Sequence, residues 1–444
     1  MLTMYLKLGN PDMVVLLFGF LRSFGVKPNE FTCAIITSSF SKLGNVDRGR
    51  EAHCIILKMG FEASMYCQCS LVEMYAKNAQ LQDAQRIFHG ASRLSNAAWT
   101  SIISGYSRIG LPQESLKVYE HMKKVGHQPD QVATVAVMNA YVKVGKLGRA
   151  AELFAKLPKQ NVVAWNIMIS SHAQRGYFSE AMNLYQCMRK LGIKPTRSTY
   201  GSVLNAVASI SSPKNGAIVH AETVKQGLHS NVYVGSSLIN MYAKSKNMGA
   251  SKRVFFDISE EDIVTTNAMI AGYAQNGDFR EVYEWFHDMK CSGLLPDEFT
   301  FTSILCACAG LKDLQGGLQL HTIIVKIRAF SNLYVANALI DMYAKCGELK
   351  NAKMLFERMR IRDNITWNAI IVGYVQEHDE TTAFQMFNRM ISNGVWPDEV
   401  SVSSIISACA DIIGIDQGKQ MHCVSVKCGL ETTLYVGSSL LHMY

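Results

Sequence analysis

The stretch Ile263–Asp297, IVTTNAMIAGYAQNGDFREVYEWFHDMKCSGLLPD, determines the fold. Its apolar residues recur every three or four positions in two successive runs, which is the spacing of helices and not of strands. The triplet 276–278, Asn-Gly-Asp, separates the two runs. Asp278 is predicted to cap the second helix, with Glu281 as its capping-box partner. The stretch therefore predicts an antiparallel helix pair whose apolar faces can be buried only against neighbouring pairs.

The same pattern repeats along the whole chain. Prolines in similar phrases lie at positions 28, 129, 195, 296 and 397, so the successive intervals are 101, 66, 101 and 101 residues. The phrase Met-Tyr-Ala-Lys recurs at 74–77, 241–244 and 342–345. Aligning these phrases divides each period into repeats of 35, 35 and 31 residues, and the 66-residue interval lacks one 35-residue repeat. A long period of this kind predicts an array of stacked small elements rather than one globular core.

The predicted architecture is one all-helical domain, an α-solenoid of about twelve complete and two partial helix-turn-helix repeats. Because the chain begins and ends within a repeat, we expect it to be a fragment from which any targeting peptide is absent. The predicted repeats are 1–29 (partial), 30–64, 65–95, 96–130, 131–161, 162–196, 197–231, 232–262, 263–297, 298–332, 333–363, 364–398, 399–433 and 434–444 (partial).

The composition is compatible with such an array and excludes few functions. Hydrophobic residues make up 48% of the chain and charged residues 18%, which suffices for a continuous core and argues against disorder. No run of 18 uncharged apolar residues occurs, so no transmembrane helix is predicted. The net charge of +8, from 44 Lys and Arg against 36 Asp and Glu, is mild for a nucleic-acid-binding protein. The 12 cysteines lack disulfide or C-x-x-C spacing and are interpreted as small buried hydrophobes in a reducing compartment.

The repeats resemble those of plant pentatricopeptide repeat (PPR) proteins of the PLS class. The 35-residue repeats 96–130, 162–196, 263–297 and 364–398 are similar to the P type, and the 31-residue repeats are similar to the S type. The 35-residue repeats with a periodic His, at positions 53, 220, 321 and 422, are similar to the L type. Tetratricopeptide arrays differ, because they use 34-residue repeats throughout. The resemblance covers essentially the whole chain and implies a right-handed solenoid.

The resemblance also implies binding of single-stranded RNA, one base per repeat, through the fifth and last residues of each repeat. An Asn amide presents a donor and an acceptor to the edge of uracil. Three pairs resemble uracil readers: Asn267 with Asp297, Asn337 with Asp363, and Asn368 with Asp398. Thr100 with Asp130 and Ser236 with Asp262 resemble guanine readers, and Asn166 with Thr196 implies a weak pyrimidine preference. Counted 5′ to 3′ from repeat 30–64, the implied target is N-N-G-N-Y-N-G-U-N-U-U-N.

Two further sets of residues follow from the repeat positions. Residues at the second position are predicted to stack on bases without sequence choice: Val163, Tyr233, Val264, Tyr334 and Ile365. Cations at the thirteenth position are predicted to contact phosphate: Lys42, Lys77, Arg108, Lys143, Lys244 and Lys345. The base readers and the cations each have an alternative. The fifth-position Asn residues could be polar residues that satisfy helix N-terminal donors, and the cations could complement helix dipoles.

No catalytic, metal or cofactor site is predicted. The tripeptides at 220–222 and 378–380 match the H-x-E part of a zinc deaminase by letter, but both lie inside repeats and no C-x-x-C occurs. The periodic His residues are interpreted as packing or partner contacts. No membrane and no small-molecule substrate is expected.

The function implied by the resemblance is recognition of organellar RNA sites for C-to-U editing. The mitochondrion is expected, with the chloroplast as the alternative, and editing-complex proteins are expected as further partners through the L-type repeats. Two other functions remain open: RNA stabilisation or processing by occupancy, and a protein-binding scaffold that contacts no RNA.

Overall fold

The computed structural model describes residues 1–91, 94–210, 212–258, 262–411 and 415–444. Over these residues the chain forms 27 α-helices and one 3-10 helix, Ala329–Ser331, and no strand. The helices fall into two compact bodies, an N-terminal body of Met1–Ala206 and a C-terminal body of Val207–Tyr444.

The helices of the N-terminal body, in chain order, are α1 (Leu2–Lys7), α2 (Pro11–Ser23), α3 (Glu30–Leu43), α4 (Val46–Lys58), α5 (Met65–Lys77), α6 (Leu81–Gly90), α7 (Asn96–Arg108), α8 (Pro112–Lys124), α9 (Gln131–Lys143), α10 (Leu147–Lys156), α11 (Val162–Gln174) and α12 (Phe178–Lys190). The boundary between the bodies falls within α13 (Arg197–Ser209).

The helices of the C-terminal body are α14 (Pro213–Lys225), α15 (Val232–Lys244), α16 (Met248–Asp257), α17 (Ile263–Asn276), α18 (Phe279–Cys291), α19 (Glu298–Leu311), α20 (Leu314–Lys326), α21 (Leu333–Lys345), α22 (Leu349–Arg358), α23 (Asn364–Gln376), α24 (Glu380–Ser392), α25 (Glu399–Asp411), α26 (Ile415–Lys427) and α27 (Leu434–Met443).

Within each body the helices pack as consecutive pairs. The first helix of a pair packs against the second, as in α3 with α4 and α21 with α22. It also packs against the first helix of the next pair, as in α3 with α5 and α21 with α23. This arrangement buries the apolar face that a single pair leaves open, and it is the packing of an α-solenoid.

The turn between α17 and α18 lies where the sequence predicts it. Gly277 ends α17 in the left-handed region at φ 81°, which glycine adopts without a steric cost. The predicted capping box of Asp278 with Glu281 is wrong, because the Asp278 side chain makes no capping hydrogen bond. Its backbone, at φ −83° and ψ 60°, lies outside the extended region that capping residues most often adopt.

A Gly, a His, a Met and a Tyr join each predicted L-type repeat to the S-type repeat after it. A Cβ on Gly317 of α20 would lie only 2.4 Å from the Sδ of Met342 on α21. One turn further along α20, His321 Nδ1 lies 2.8 Å from the hydroxyl of Tyr343. The same contacts recur for Gly49, His53, Met74 and Tyr75, for Gly216, His220, Met241 and Tyr242, and for Gly418, His422, Met443 and Tyr444. The periodic His residues therefore have a packing role, and Met-Tyr of the repeated phrase supplies their partners.

The junction between α8 and α9 is different, because no predicted L-type repeat precedes this predicted S-type repeat. Ser115 stands at the repeat position of the glycine and Ala140 at that of the methionine, and both are fully buried. The Ser115 hydroxyl donates to the carbonyl oxygen of Ile103 at 2.9 Å. The larger side chain of the pair is thus on the preceding helix here, whereas at the other junctions it is on the following helix.

Tryptophan at the fourth position of a predicted P-type repeat packs edge-on against a phenylalanine of the preceding repeat. The ring centroids lie 4.6 to 4.8 Å apart in the pairs Phe88 with Trp99, Phe154 with Trp165, and Phe356 with Trp367. In α17 this position is Thr266, and Trp285 of α18 contacts Phe255 instead, at 4.7 Å. A residue of the second helix therefore provides the ring that the first helix lacks.

The cysteines are only partly as predicted. All twelve are free thiols, and Cys33, Cys67, Cys308 and Cys409 are buried. Burial raises the pKa of Cys67, Cys308 and Cys409 to about 11. The interpretation of the cysteines as buried hydrophobes is wrong for five of them, which are exposed: Cys54, Cys187, Cys291, Cys306 and Cys423. Among the helices of the described residues, none is both long and apolar enough to span a membrane.

Candidate functional site

One groove in the C-terminal body collects residues from several of the predicted sets. It has a volume of about 520 Å³ and is mainly apolar. All of its lining residues lie on the first helices α19, α21, α23 and α25: Thr302, Cys306, Tyr334, Asn337, Ala338, Asp341, Lys345, Ile365, Asn368, Ala369, Val372 and Val400. Predicted base readers, stacking residues and a predicted phosphate contact thus share one surface.

The Asn267 and Asp297 side chains, at the fifth and last positions of repeat 263–297, are bonded to each other. Asn267 Nδ2 donates to Asp297 Oδ1 at 2.9 Å. Thr300, on the first turn of α19, donates its hydroxyl to Asn267 Oδ1 at 2.7 Å. Asp297 caps α19, because its Oδ1 accepts from the Thr300 N–H at 2.9 Å and the Asp297 N–H donates to the Thr300 hydroxyl oxygen at 3.1 Å. The three side chains form a closed ring that holds the amide on both sides.

Asn337, Asp363 and Thr366 form the same ring two repeats further on. Asn337 Nδ2 donates to Asp363 Oδ1 at 3.1 Å, and the Thr366 hydroxyl donates to Asn337 Oδ1 at 2.7 Å. Burial alone raises the pKa of Asp363, but hydrogen bonds from the Thr366 N–H, the Thr366 hydroxyl and the Asn337 amide outweigh it and hold that pKa below its ordinary value. Asp363 is therefore a carboxylate at neutral pH, fixed as an acceptor for the Asn337 amide.

Asn368 and Asp398 are bonded differently. Asn368 Nδ2 contacts both carboxylate oxygens of Asp398, at 3.1 and 2.8 Å. Ser401 takes the place of the threonine, and its hydroxyl bonds Asp398 alone, through the backbone oxygen and Oδ1 at 3.0 Å each. The Oδ1 of Asn368 is buried without a hydrogen-bond partner. This amide is therefore held on one side only.

The remaining predicted pairs differ in whether their side chains meet. Thr100 donates its hydroxyl to Asp130 Oδ2 at 3.1 Å, and Asn166 Nδ2 donates to the Thr196 hydroxyl at 3.0 Å. Ser236 and Asp262 are not joined to each other. Ser236 donates to the carbonyl oxygen of Tyr233 at 3.0 Å, and Asp262 Oδ1 accepts from the Val264 N–H at 2.6 Å.

The alternative interpretation of the fifth-position asparagines as helix caps is wrong. Asn166, Asn267, Asn337 and Asn368 lie inside α11, α17, α21 and α23, and their amides bond the last residue of the repeat. The last residues are the caps: Asp130, Asp262, Asp297 and Asp363 each accept from a backbone N–H of the next helix.

The predicted stacking residues are exposed, and the structure adds six more at the same position. Val163, Tyr233, Val264, Tyr334 and Ile365 each have more than half of their surface exposed. So do, or nearly so, Phe31, Tyr66, Val132, Phe299, Val400 and Tyr435, which the sequence analysis missed. The signal was present, because all six are apolar residues at the second position of a predicted repeat. Phe31 and Tyr66 already contact each other, with ring centroids 4.7 Å apart.

The predicted phosphate contacts are exposed cations in the last turn of a first helix, and several bind the protein itself. Lys42, Arg108 and Lys143 donate to carbonyl oxygens at the end of the preceding first helix, those of Leu6, Lys77 and Ser107, at 3.1 to 3.2 Å. Lys77 pairs with Glu73, and Lys345 pairs with Asp341 at 2.8 Å. Carbonyl oxygens at a helix C-terminus attract cations, so this geometry agrees with the helix-dipole alternative. The exposed ammonium and guanidinium groups retain donors for a further ligand.

A larger cleft in the N-terminal body does not collect the predicted readers. Its volume is about 990 Å³, and of the described residues that line it only Asp130 belongs to the predicted base readers. Its Arg149 pairs with Glu152 at 3.1 Å. Elsewhere in the described ranges, no group of three or more His, Cys, Asp or Glu side chains is placed to hold a metal ion.

Comparison with known sequences relates the chain to one family. Residues 160–209, 261–310 and 362–411 match the model of the PPR repeat family, and residues 97–127, 132–162 and 334–363 match the model of the PPR repeat, together more than half of the chain. The chain is 47% identical to the mitochondrial pentatricopeptide repeat-containing protein At3g09040 of Arabidopsis thaliana, over 100% of this chain and 43% of that protein. It is 29% identical to a chloroplastic pentatricopeptide repeat-containing protein of the same plant, over 92% of this chain and 55% of the relative. The chain spans about half the length of the curated relatives it matches.

Solved structures with a similar fold are also pentatricopeptide repeat proteins. The protein PPR10 in complex with an 18-nucleotide psaJ RNA element is 17% identical with a TM-score of 0.51, over 100% of this chain and 81% of that chain. PPR10 from maize is 18% identical with a TM-score of 0.53, over 98% of this chain and 74% of that chain. Similarity at this level of identity shows the fold, which is the predicted right-handed α-solenoid.

Proposed function

The chain belongs to the pentatricopeptide repeat family, and on this premise we propose that it binds single-stranded RNA by sequence, one base per repeat. The observation that carries the proposal is the groove in the C-terminal body, where Asn337 and Asn368 lie beside exposed Tyr334 and Ile365 and close to Lys345. Amides can bond base edges, exposed apolar side chains can stack on bases, and a cation can contact phosphate. PPR10, which has this fold, was solved with an RNA bound.

The access that each predicted reader offers a base differs along the array. Asn337 and Asn368 have only 5% and 9% of their surface exposed, so a base would reach them edge-on from the groove. Asn267 is half-buried and offers more surface. We therefore propose that the uracil preference is strongest opposite Asn267, the eighth base of N-N-G-N-Y-N-G-U-N-U-U-N.

We further propose that the RNA is organellar and that binding marks a site for C-to-U editing. The alternation of 35-, 35- and 31-residue repeats supports the PLS class from which this role follows. The 47% identical relative carries the word mitochondrial in its name, which favours the mitochondrion, and another relative is named chloroplastic. The array itself supplies recognition, and the deaminase is supplied from outside these repeats. Editing-complex proteins at the L-type repeats are part of the same proposal.

RNA selection on the purified chain tests the proposal. The Asn267→Thr variant is expected to change the preferred base opposite repeat 263–297 from uracil towards guanine, because Thr with Asp is the pair at 100 and 130. Asn388→Thr, an exposed position on the second helix α24, serves as the matched control and is expected to change nothing. An unchanged preference in the Asn267 variant would mean that the readers are assigned wrongly.

Salt dependence separates RNA binding from the scaffold alternative. Binding through phosphate releases counterions, so affinity is expected to fall steeply between low and moderate salt. A chain that binds none of the selected RNAs at low salt would favour the protein-binding scaffold instead.

A further inference from the structure

Three buried threonines touch base-reading amides but cannot touch RNA themselves. Thr199, Thr300 and Thr366 lie at the third position of the repeat that follows a reader, and each has 0% of its surface exposed. Their hydroxyls donate to Oδ1 of Asn166, Asn267 and Asn337 at 2.5, 2.7 and 2.7 Å. A hydroxyl also caps its own helix, so these contacts could be only structural. The orientation of the asparagines distinguishes the two roles.

The ring around Asn267 fixes which end of the amide faces which partner. Nδ2 faces the carboxylate of Asp297, and Oδ1 faces the hydroxyl of Thr300. One N–H and one oxygen lone pair of the amide are used in the ring, so one donor and one acceptor remain for a ligand. The ring determines which side of the amide presents the donor and which side presents the acceptor.

That order distinguishes uracil from cytosine. Along adjacent edge atoms, uracil presents an acceptor at O4 and a donor at N3, whereas cytosine presents a donor at N4 and an acceptor at N3. An amide held in one orientation matches one of these edges, and the same amide turned by 180° about its terminal bond matches the other. A hydrogen bond that prevents the turn therefore increases discrimination between the two pyrimidines.

The chain contains a natural variant of this arrangement at Ser401. This serine is as buried as the threonines and occupies the same repeat position after Asn368. Its hydroxyl bonds the backbone oxygen of Asp398 at 3.0 Å and makes no bond to Asn368. It keeps the helix cap, because the Ser401 N–H still donates to Asp398 Oδ1 at 3.0 Å. Only the contact with the asparagine is lost.

We propose that the buried hydroxyl at the third position of the following repeat is a positioning residue, which fixes the orientation of the reading amide and so sets discrimination of uracil against cytosine. The inference rests on the proposed RNA-binding function and adds residues that no base touches. Repeats followed by Thr300 or Thr366 discriminate well, and repeat 364–398, followed by Ser401, discriminates less.

Reciprocal substitutions in the full chain test this inference. RNAs that carry uracil or cytosine at the eighth or the eleventh base are bound to wild type, Thr300→Ser and Ser401→Thr, and the ratio of the two Kd values is measured at each base. Thr300→Ser is expected to lower the ratio at the eighth base about three- to tenfold, the effect of one hydrogen bond. Ser401→Thr is expected to raise the ratio at the eleventh base by a similar factor, and threonine is already accommodated at three equivalent positions.

Each variant is its own control at the base that the other repeat reads. Thr300→Ser should leave the ratio at the eleventh base unchanged, and its thermal midpoint should stay near that of wild type because serine retains the cap. Thr300→Val, which removes the hydroxyl, should lower the ratio at the eighth base at least as far.

The possible failures are distinguishable. If Asn267→Ala removes the discrimination at the eighth base but both reciprocal variants stay within about twofold of wild type, the positioning role is wrong and the reader assignment stands. Equal weakening of both RNAs by Thr300→Ser would show a structural role alone and would also overturn the inference. If Asn267→Ala itself leaves the ratio unchanged, the reader assignment fails, and the positioning role fails with it.

Discussion

Replacing Gly317 by Ala tests the junction between α20 and α21. A Cβ at this position would lie 2.4 Å from Sδ and 2.7 Å from Cε of Met342. Met342 is fully buried, so its thioether cannot swing into solvent to make room. Overpacking of this kind costs about 1–3 kcal/mol, whereas alanine gains about 1 kcal/mol over glycine inside a helix. The free energy of unfolding is therefore expected to fall by up to about 2 kcal/mol.

Gly249→Ala is the matched control in the same body. Gly249 lies in α16, and the nearest atom to its added Cβ is 3.9 Å away. This variant should gain helix preference without a clash, and because Gly249 lies in the first turn of α16 it should stabilise the chain by at most about 1 kcal/mol. The difference between the two variants then isolates the overpacking cost, about 1–3 kcal/mol.

Urea unfolding followed by circular dichroism measures these differences, and hydrogen exchange of α21 shows whether they are local. Met342→Ala alone should cost about 2–5 kcal/mol through the cavity it leaves. The double variant with Gly317→Ala should cost less than the sum, by a coupling of about 1–3 kcal/mol, because the new Cβ enters that cavity. Equal stabilisation by the alanines at 317 and 249, together with zero coupling, would refute the interpretation of the junction.

Three other outcomes are expected. Burial lowers the pKa of His321, so as the pH falls the unfolded chain takes up protons before the folded chain does. The free energy of unfolding that depends on His321 is therefore fully present above about pH 6.5 and is lost as the pH falls below it. Thermal melts between pH 7.5 and 5.5 should show this loss, and H321Q should reduce it. Trp285→Leu removes the ring that contacts Phe255, so the free energy of unfolding measured in urea should fall by about 1–3 kcal/mol. Trp396→Leu is the control, because Trp396 is 77% exposed, and its free energy of unfolding should stay within about 0.5 kcal/mol of wild type. Lys143→Ala should weaken the binding of all RNAs alike, and the fall of log affinity with log salt should become less steep by about one. A purely structural role for Lys143 would change the thermal midpoint and leave the salt dependence as steep as in wild type.

The fold could be predicted from the sequence because its determinants are local and repeated. The helical spacing of apolar residues and the Gly of each turn recur in every period, so errors at one repeat are corrected by the others. The hydrogen-bond partners of polar side chains are not specified by such a local, repeated pattern. Asp278 has a capping sequence but its side chain makes no capping hydrogen bond, whereas Asp297 caps α19.

The positions of the candidate site residues could be predicted from the sequence, but their hydrogen bonds could not. The contact between Thr300 and Asn267 joins residues 33 positions apart and exists only once neighbouring repeats are stacked. Ser236 and Asp262 occupy reader positions but bond elsewhere, because each finds a closer backbone partner. Phe299 could have been found, since repeat register alone places it at an exposed second position.

At each junction a small side chain faces a larger one, and which helix carries the larger one differs between junctions. This difference constrains how such a chain can be cut and rejoined. If α4 were placed directly before α9, Gly49 would face Ala140 and leave a void, and if α8 were placed before α5, Ser115 would face Met74 and collide with it. Gene rearrangements that delete whole repeats would therefore be tolerated only where the new neighbours match in size. An engineer who lengthens the array to read a longer RNA should accordingly transplant the second helix of one repeat together with the first helix of the next, as one cassette, and leave the reading positions to be changed afterwards.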